Sequence, residues 1–141
     1  MTAPRVGAAL VTLVALAVAL GGLYVFLVPV DSAMFADETS VEWEAFACEQ
    51  PSVAAFLRSE SQLVGLSNIA LGLVALALVW TALRTGDRLT LRLTWILTAY
   101  VVAVVVLAAG STPDIAAFYA VLAGAAAVGL LLLERAHPSR T

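Results

Sequence analysis

Residues Leu63 to Leu83 read LVGLSNIALGLVALALVWTAL and end abruptly at Arg84-Thr85-Gly86-Asp87-Arg88. Twenty-one residues pass without a charged side chain. At 1.5 Å of rise per residue, about 20 residues cross the roughly 30 Å of hydrocarbon in a bilayer. Lipid offers no partner for backbone N–H and C=O groups, so a segment that spans it bonds them internally as a helix. Gly86 stands where a helix that has just ended favours glycine.

Three more runs of this kind flank the first: about 6–30, 93–110 and 115–133. Ser111-Thr112-Pro113-Asp114 opens the last of them with a hydroxyl cap, proline in the first turn and a carboxylate near the positive dipole end. Pro29 and Asp31 close the first. That first run is far longer than the 7–15 apolar residues of a signal sequence, so it reads as a retained span. The expected fold is therefore all-α. It is a four-transmembrane-helix bundle forming one integral membrane domain, with an outer segment over 31–62.

Composition supports this reading. Of 141 residues, 62% are hydrophobic, against about 45–50% apolar residues in soluble proteins. A soluble chain this short has no interior for so much apolar surface, whereas lipid substitutes for it. All seven basic residues are arginine, a usage typical of a GC-rich prokaryotic genome. Arg5, Arg84, Arg88, Arg92, Arg135 and Arg140 fall on one side of the proposed membrane, and only Arg58 on the other. The positive-inside rule then puts both termini in the cytoplasm of a cell-membrane protein. Trp80 and Trp95 land near the inner interface, Tyr24 and Tyr119 near the outer one.

Small residues mark the faces on which membrane helices approach each other. Spacings of three and four select Ala8, Thr12, Ala15, Ala19 and Gly22 in the first span, and Ser61, Gly65, Asn68, Gly72 and Ala75 in the second. The third gives Thr94, Thr98, Val101, Val105 and Ala108, and the fourth Ala117, Ala120, Gly124 and Ala127. In the outer segment, Thr39-Ser40-Val41-Glu42 has the form of a capping box. It predicts one short amphipathic helix with Trp43, Phe46 and Ala47 on one side, ended by Pro51, with Ser52 capping the next helix.

Chemistry-bearing residues are few. Arg58, Glu60, Gln62 and Asn68 sit on the outer half of the second span, where a charge near membrane depth marks a candidate ligand or lipid site. The plainer roles are headgroup-level anchoring for the charges and an interhelix hydrogen bond for Asn68. Thr94, Thr98 and Tyr100 are the candidate polar interior of the bundle. Asp114 suits a helix start better than a cation site. The acidic run Asp37, Glu38, Glu42 and Glu44 lacks the ligand spacing of a calcium loop. Cys48 has no basic neighbour to activate it and reads as a partly buried, inert thiol. Glu134 and Arg135 read as a pair at a helix end.

The one histidine, His137, lies outside every apolar run, which removes axial histidine ligation of haem. No phosphate loop, metal spacing or nucleophile with a neighbouring base stands out, so no cofactor, metal or enzymatic activity is expected. The acidic balance argues against nucleic acid. Phe56-Leu57-Arg58 followed by Gly65, Asn68 and Gly72 resembles the small four-helix DoxX-like and related prokaryotic multi-pass membrane proteins, over about twenty residues. That resemblance implies fold and location more than activity. The expected role is a non-enzymatic accessory or scaffold subunit, self-associating or packed in a larger membrane complex. The alternatives are a small oligomeric transporter or channel, and a lipid-binding protein using Arg58.

Overall fold

The computed structural model describes residues 3–30, 32–85, 88–108 and 113–136. The described residues form six helices: α1 Ala3–Leu27, α2 Ser32–Thr39, α3 Trp43–Glu49, α4 Pro51–Thr85, α5 Arg88–Ala108 and α6 Pro113–Ala136. Three of them contain stretches long and apolar enough to cross a membrane, Pro4–Leu27, Pro51–Thr85 and Ala116–Arg135. Asp31, Gly86, the Ser111-Thr112 cap, His137, Arg140 and the side chains of Glu38, Arg88, Val105, Ala108 and Asp114 lie outside the described residues.

Several boundaries differ from the sequence reading. α1 ends at Leu27, three residues early, with the Val28 N–H still donating to the Tyr24 carbonyl at 2.8 Å. The second span is one part of a 35-residue helix, about 52 Å long at 1.5 Å per residue. Pro51 opens that helix instead of ending α3. Proline suits the first helical position because its missing N–H has no partner there anyway, and its fixed φ is already helical. Gln50, left non-helical before it, receives the Ala54 N–H on its carbonyl at 2.9 Å. Ser52 therefore lies inside the first turn and is not a cap.

The capping box does not form. An unanticipated helix, α2, ends on Thr39, whose hydroxyl donates to the Phe35 carbonyl at 2.6 Å. Ser40 takes a left-handed φ of 59° and turns the chain, and α3 starts after Glu42 with no side-chain cap. The short helix still presents the faces its spacing predicts. Trp43 is buried, Phe46 and Ala47 are half-buried, and Glu42, Glu44 and Glu49 are exposed.

The chain groups into two compact units, Val18–Ala70 and Met1–Ala17 with Leu71–Thr141. In the first, α1 and α4 touch backbone to backbone. A Cβ placed on Gly22 would lie 2.6 Å from the Gly65 carbonyl oxygen, and one on Gly65 would lie 2.6 Å from the Phe26 nitrogen. In the second, Gly7 and Gly129 do the same for α1 and α6, a Cβ on Gly7 falling 2.5 Å from the Gly129 oxygen. Around this crossing Ala8, Val11, Val79, Leu130 and Leu133 form the core, with Leu91 and Trp95 packed against it.

The small-residue face of α6 differs from the one spacing selects. Ala117, Ala120 and Gly124 are exposed, while Ala116, Ala123, Ala126, Leu130 and Leu133 are buried. Alanine occupies so many positions of this helix that two faces have nearly the same composition. Packing uses the face that ends in Leu130 and Leu133, because those two bury the most apolar surface.

Candidate functional site

Within the 18–70 unit, α2, α3 and the first turns of α4 build an aromatic cluster. The Phe35 and Trp43 rings meet edge to face with centroids 5.0 Å apart, and Phe46 lies 5.2 Å from Phe35 and 5.8 Å from Trp43. Such tilted contacts align ring edges with the negative faces of their neighbours. Arg58, two turns into α4, places its guanidinium carbon 5.3 Å from the Trp43 ring centroid. At that distance the cation is held by the ring's electrons. Arg58 itself stays exposed, so its N–H donors are only partly committed.

The other three residues of the predicted group do not join it. Glu60 and Gln62 are exposed on α4, and Asn68 is half-buried two turns further on. Asn68 lies against α1: a Cβ on Gly22 would fall 2.7 Å from the Asn68 Cβ. Cys48 is exposed, contrary to the partly buried thiol expected. α3 turns its aromatic side inward, which sends position 48 outward with Glu44 and Glu49.

In the other unit, Thr94 and Thr98 are buried at 3% and 7% exposure. Their hydroxyls donate one turn back on the same helix, Thr94 to the Thr90 carbonyl and Thr98 to the Thr94 carbonyl, each at 3.0 Å. Both groups are satisfied without a partner helix or a ligand. Tyr100 does not share their interior, being 51% exposed. Two residues beyond Thr98 on a 3.6-residue helix, Tyr100 stands about 160° around the axis from it, on nearly the opposite face.

Glu134 bonds Trp95 instead of pairing with Arg135: the indole N–H donates to its Oε1 at 2.8 Å and ties α5 to α6. Sequence reasoning missed this contact because its partners stand 39 residues apart on different helices. Beside it, Thr98, Ala99 and Val102 of α5 face Ala120, Gly124 and Ala127 of α6 across an open groove of about 510 Å³. Gly124 has nothing within 4 Å of where a Cβ would stand.

Compared with protein-family models, curated proteins and solved structures, the chain finds no match.

Proposed function

We propose that this chain is a multi-pass cell-membrane protein of four spans, with both termini cytoplasmic. It serves as a non-enzymatic accessory subunit that packs against a helix of a larger membrane complex. α5, at 21 residues about 32 Å long, is the fourth span. Most of the spanning surface points outward. Only 17–33% of the apolar window in each of the three long spans is buried within the chain. Exposed hydroxyls on α4 are closed off locally, Ser67 on the Leu63 carbonyl and Thr81 on the Ala77 carbonyl, both at 2.8 Å. That lets a hydroxyl face lipid at little cost.

One observation carries the accessory role. α6 has two small-residue faces and the chain packs only one of them. The other, Ala117, Ala120, Gly124 and Ala127, is left open beside α5. Close approach of backbones is the main source of helix affinity in lipid, and small residues permit it. The in-helix bonding of Thr94 and Thr98 and the outward Tyr100 weigh against a transport path through those residues.

The test is the native mass of the chain transferred from its membrane directly into lipid nanodiscs. A complex larger than one chain is expected, dissociating to the single chain on Gly124→Trp. A wild-type protein recovered only as a monomer sinks the accessory role. An assembly made of this chain alone would replace the larger complex with a homo-oligomer.

A further inference from the structure

The unit formed by Met1–Ala17 and Leu71–Thr141 gathers four helix ends at one place. The core of Ala8 and Val11 of α1, Val79 of α4, and Leu130 and Leu133 of α6, with Leu91 and Trp95 of α5 against it, holds them together. Each end carries an arginine within one to two turns of that core: Arg5, Arg84, Arg92 and Arg135. All four are exposed. The described carboxylate among them, Glu134, gives its Oε1 to the Trp95 indole. Among the described residues the collar therefore carries four arginines against one carboxylate.

Two further features give the collar a form. Arg84 lies with its guanidinium carbon 4.5 Å from the Trp80 ring centroid, and Trp80 is 59% exposed. A guanidinium held on a ring at that distance keeps edge N–H groups that can bond oxygen in pairs. Next to the arginines stand exposed large apolar side chains: Leu83, Leu89, Leu93 and Leu131. A cation-bearing rim bordered at once by exposed leucine fits a ligand that is anionic at one end and hydrocarbon at the other. Free phosphate would use only the rim, and a nucleic acid would leave the leucines in water.

From this juxtaposition we infer that the arginine collar is a binding surface for anionic phospholipid, taking the headgroup phosphate on Arg84 and Arg92 and the acyl chains along the adjoining leucines. The inference rests on the four-span, termini-in reading, which puts this rim at the cytoplasmic headgroups. A basic side chain near an anionic leaflet contributes about 1 kcal/mol, or about fivefold in binding.

The test counts lipids retained by the full chain in native mass spectra from mixed micelles of equimolar phosphatidylglycerol and phosphatidylcholine. Phosphatidylglycerol should be enriched, and Arg84→Gln with Arg92→Gln should lower the enrichment about fivefold for each arginine. Because removing charge can disturb insertion, Arg84→Lys with Arg92→Lys is measured beside it. That pair keeps the charge and loses the stacked fork, so the enrichment should fall only in part. Equal retention of the two lipids, or an enrichment unchanged in both variants, overturns the proposal. Displacement of the lipid by millimolar inorganic phosphate at constant ionic strength overturns the lipid as occupant, leaving a free-anion site. Topology is read separately with a membrane-impermeant maleimide on intact cells. Cys48 should react, and Thr85→Cys in a Cys48→Ser background should not. Labelling at position 85 would refute the termini-in reading while the lipid counts still decide the collar.

Discussion

Trp95 on α5 and Glu134 on α6 are joined by a 2.8 Å hydrogen bond from the indole N–H to Oε1, next to the buried Leu133 and one turn from the buried Leu130. The bond sits where two helices that pack closely both reach the arginine-bearing end of their unit. It fixes the rotation of α5 about its own axis, which in turn keeps Thr94 and Thr98 inward. A bond to a charged acceptor contributes about 1.5–3 kcal/mol when shielded, and exposure of Glu134 brings this one below that range. Trp95→Phe removes the donor and Glu134→Leu the acceptor. A double-mutant cycle on thermal unfolding in detergent should give a coupling of about 1 kcal/mol. Strict additivity of the two changes would show that the bond does not hold the helices. Glu134→Gln keeps a carbonyl acceptor and should retain part of the stability.

The glycines of this chain are not equivalent. At Gly65 a methyl group would stand 2.6 Å from the Phe26 nitrogen and 2.7 Å from the Gly22 oxygen, all backbone, so α1 and α4 must separate to admit it. Overpacking of this kind costs about 1–3 kcal/mol. Gly124→Ala meets open space and replaces glycine with the best helix former, a gain of up to about 1 kcal/mol. The melting temperatures of the two variants should therefore move in opposite directions. A fall for both, or a rise for both, would contradict the packing described.

The same glycines show what the sequence could and could not disclose. Gly22, Gly65 and Gly72 stand on stripes that spacing alone selects, and the structure buries all three. In those helices large Leu and Val residues surround the stripe, so the small face is unambiguous. α6 has alanine at nearly every candidate position, and spacing then has nothing to discriminate. Spacing selects Gly124 and passes over Gly129, although Gly129 makes the crossing with Gly7. The capping box failed for a related reason. Its four residues are locally correct, but Thr39 is already the end of α2, whose Phe35 is pulled onto Trp43 by ring packing. Arg58 is legible as the lone arginine on the outer side. Its partner is not, because Trp43 reaches it only across the break between α3 and α4 at Gln50 and Pro51.

Thr94 and Thr98 provide a direct discrimination between structural and path-lining roles. Their hydroxyls bond only to carbonyls already used by the helix, so each can be lost without orphaning a buried group. Thr94→Val and Thr98→Val remove only the hydroxyl's hydrogen bond and should change stability by no more than about 1 kcal/mol, with the native assembly mass unaltered. A selective loss of ion or solute flux in reconstituted vesicles, with stability intact, would instead give these hydroxyls a transport role.

Arg58 and Trp43 offer the reverse case, in which a small energetic term controls a large element. The cation at 5.3 Å from the indole contributes about 0.5–1 kcal/mol at an exposed site. Against the whole fold that is minor. Against α2 and α3, two short helices of eight and seven residues, it is a sizeable part of what seats them on α4. Arg58→Gln should leave the melting of the long helices within about 0.5 kcal/mol. It should also make Glu42, Glu44 and Glu49, already exposed, several times faster to cut with a glutamate-specific protease. Arg58→Lys keeps a cation that can sit on the ring and should restore most of the protection. Trp43→Ala removes the buried ring itself, so its cleavage should exceed that of Arg58→Gln. Cleavage at wild-type rate in Arg58→Gln would mean that the aromatic cluster alone holds α2 and α3 in place.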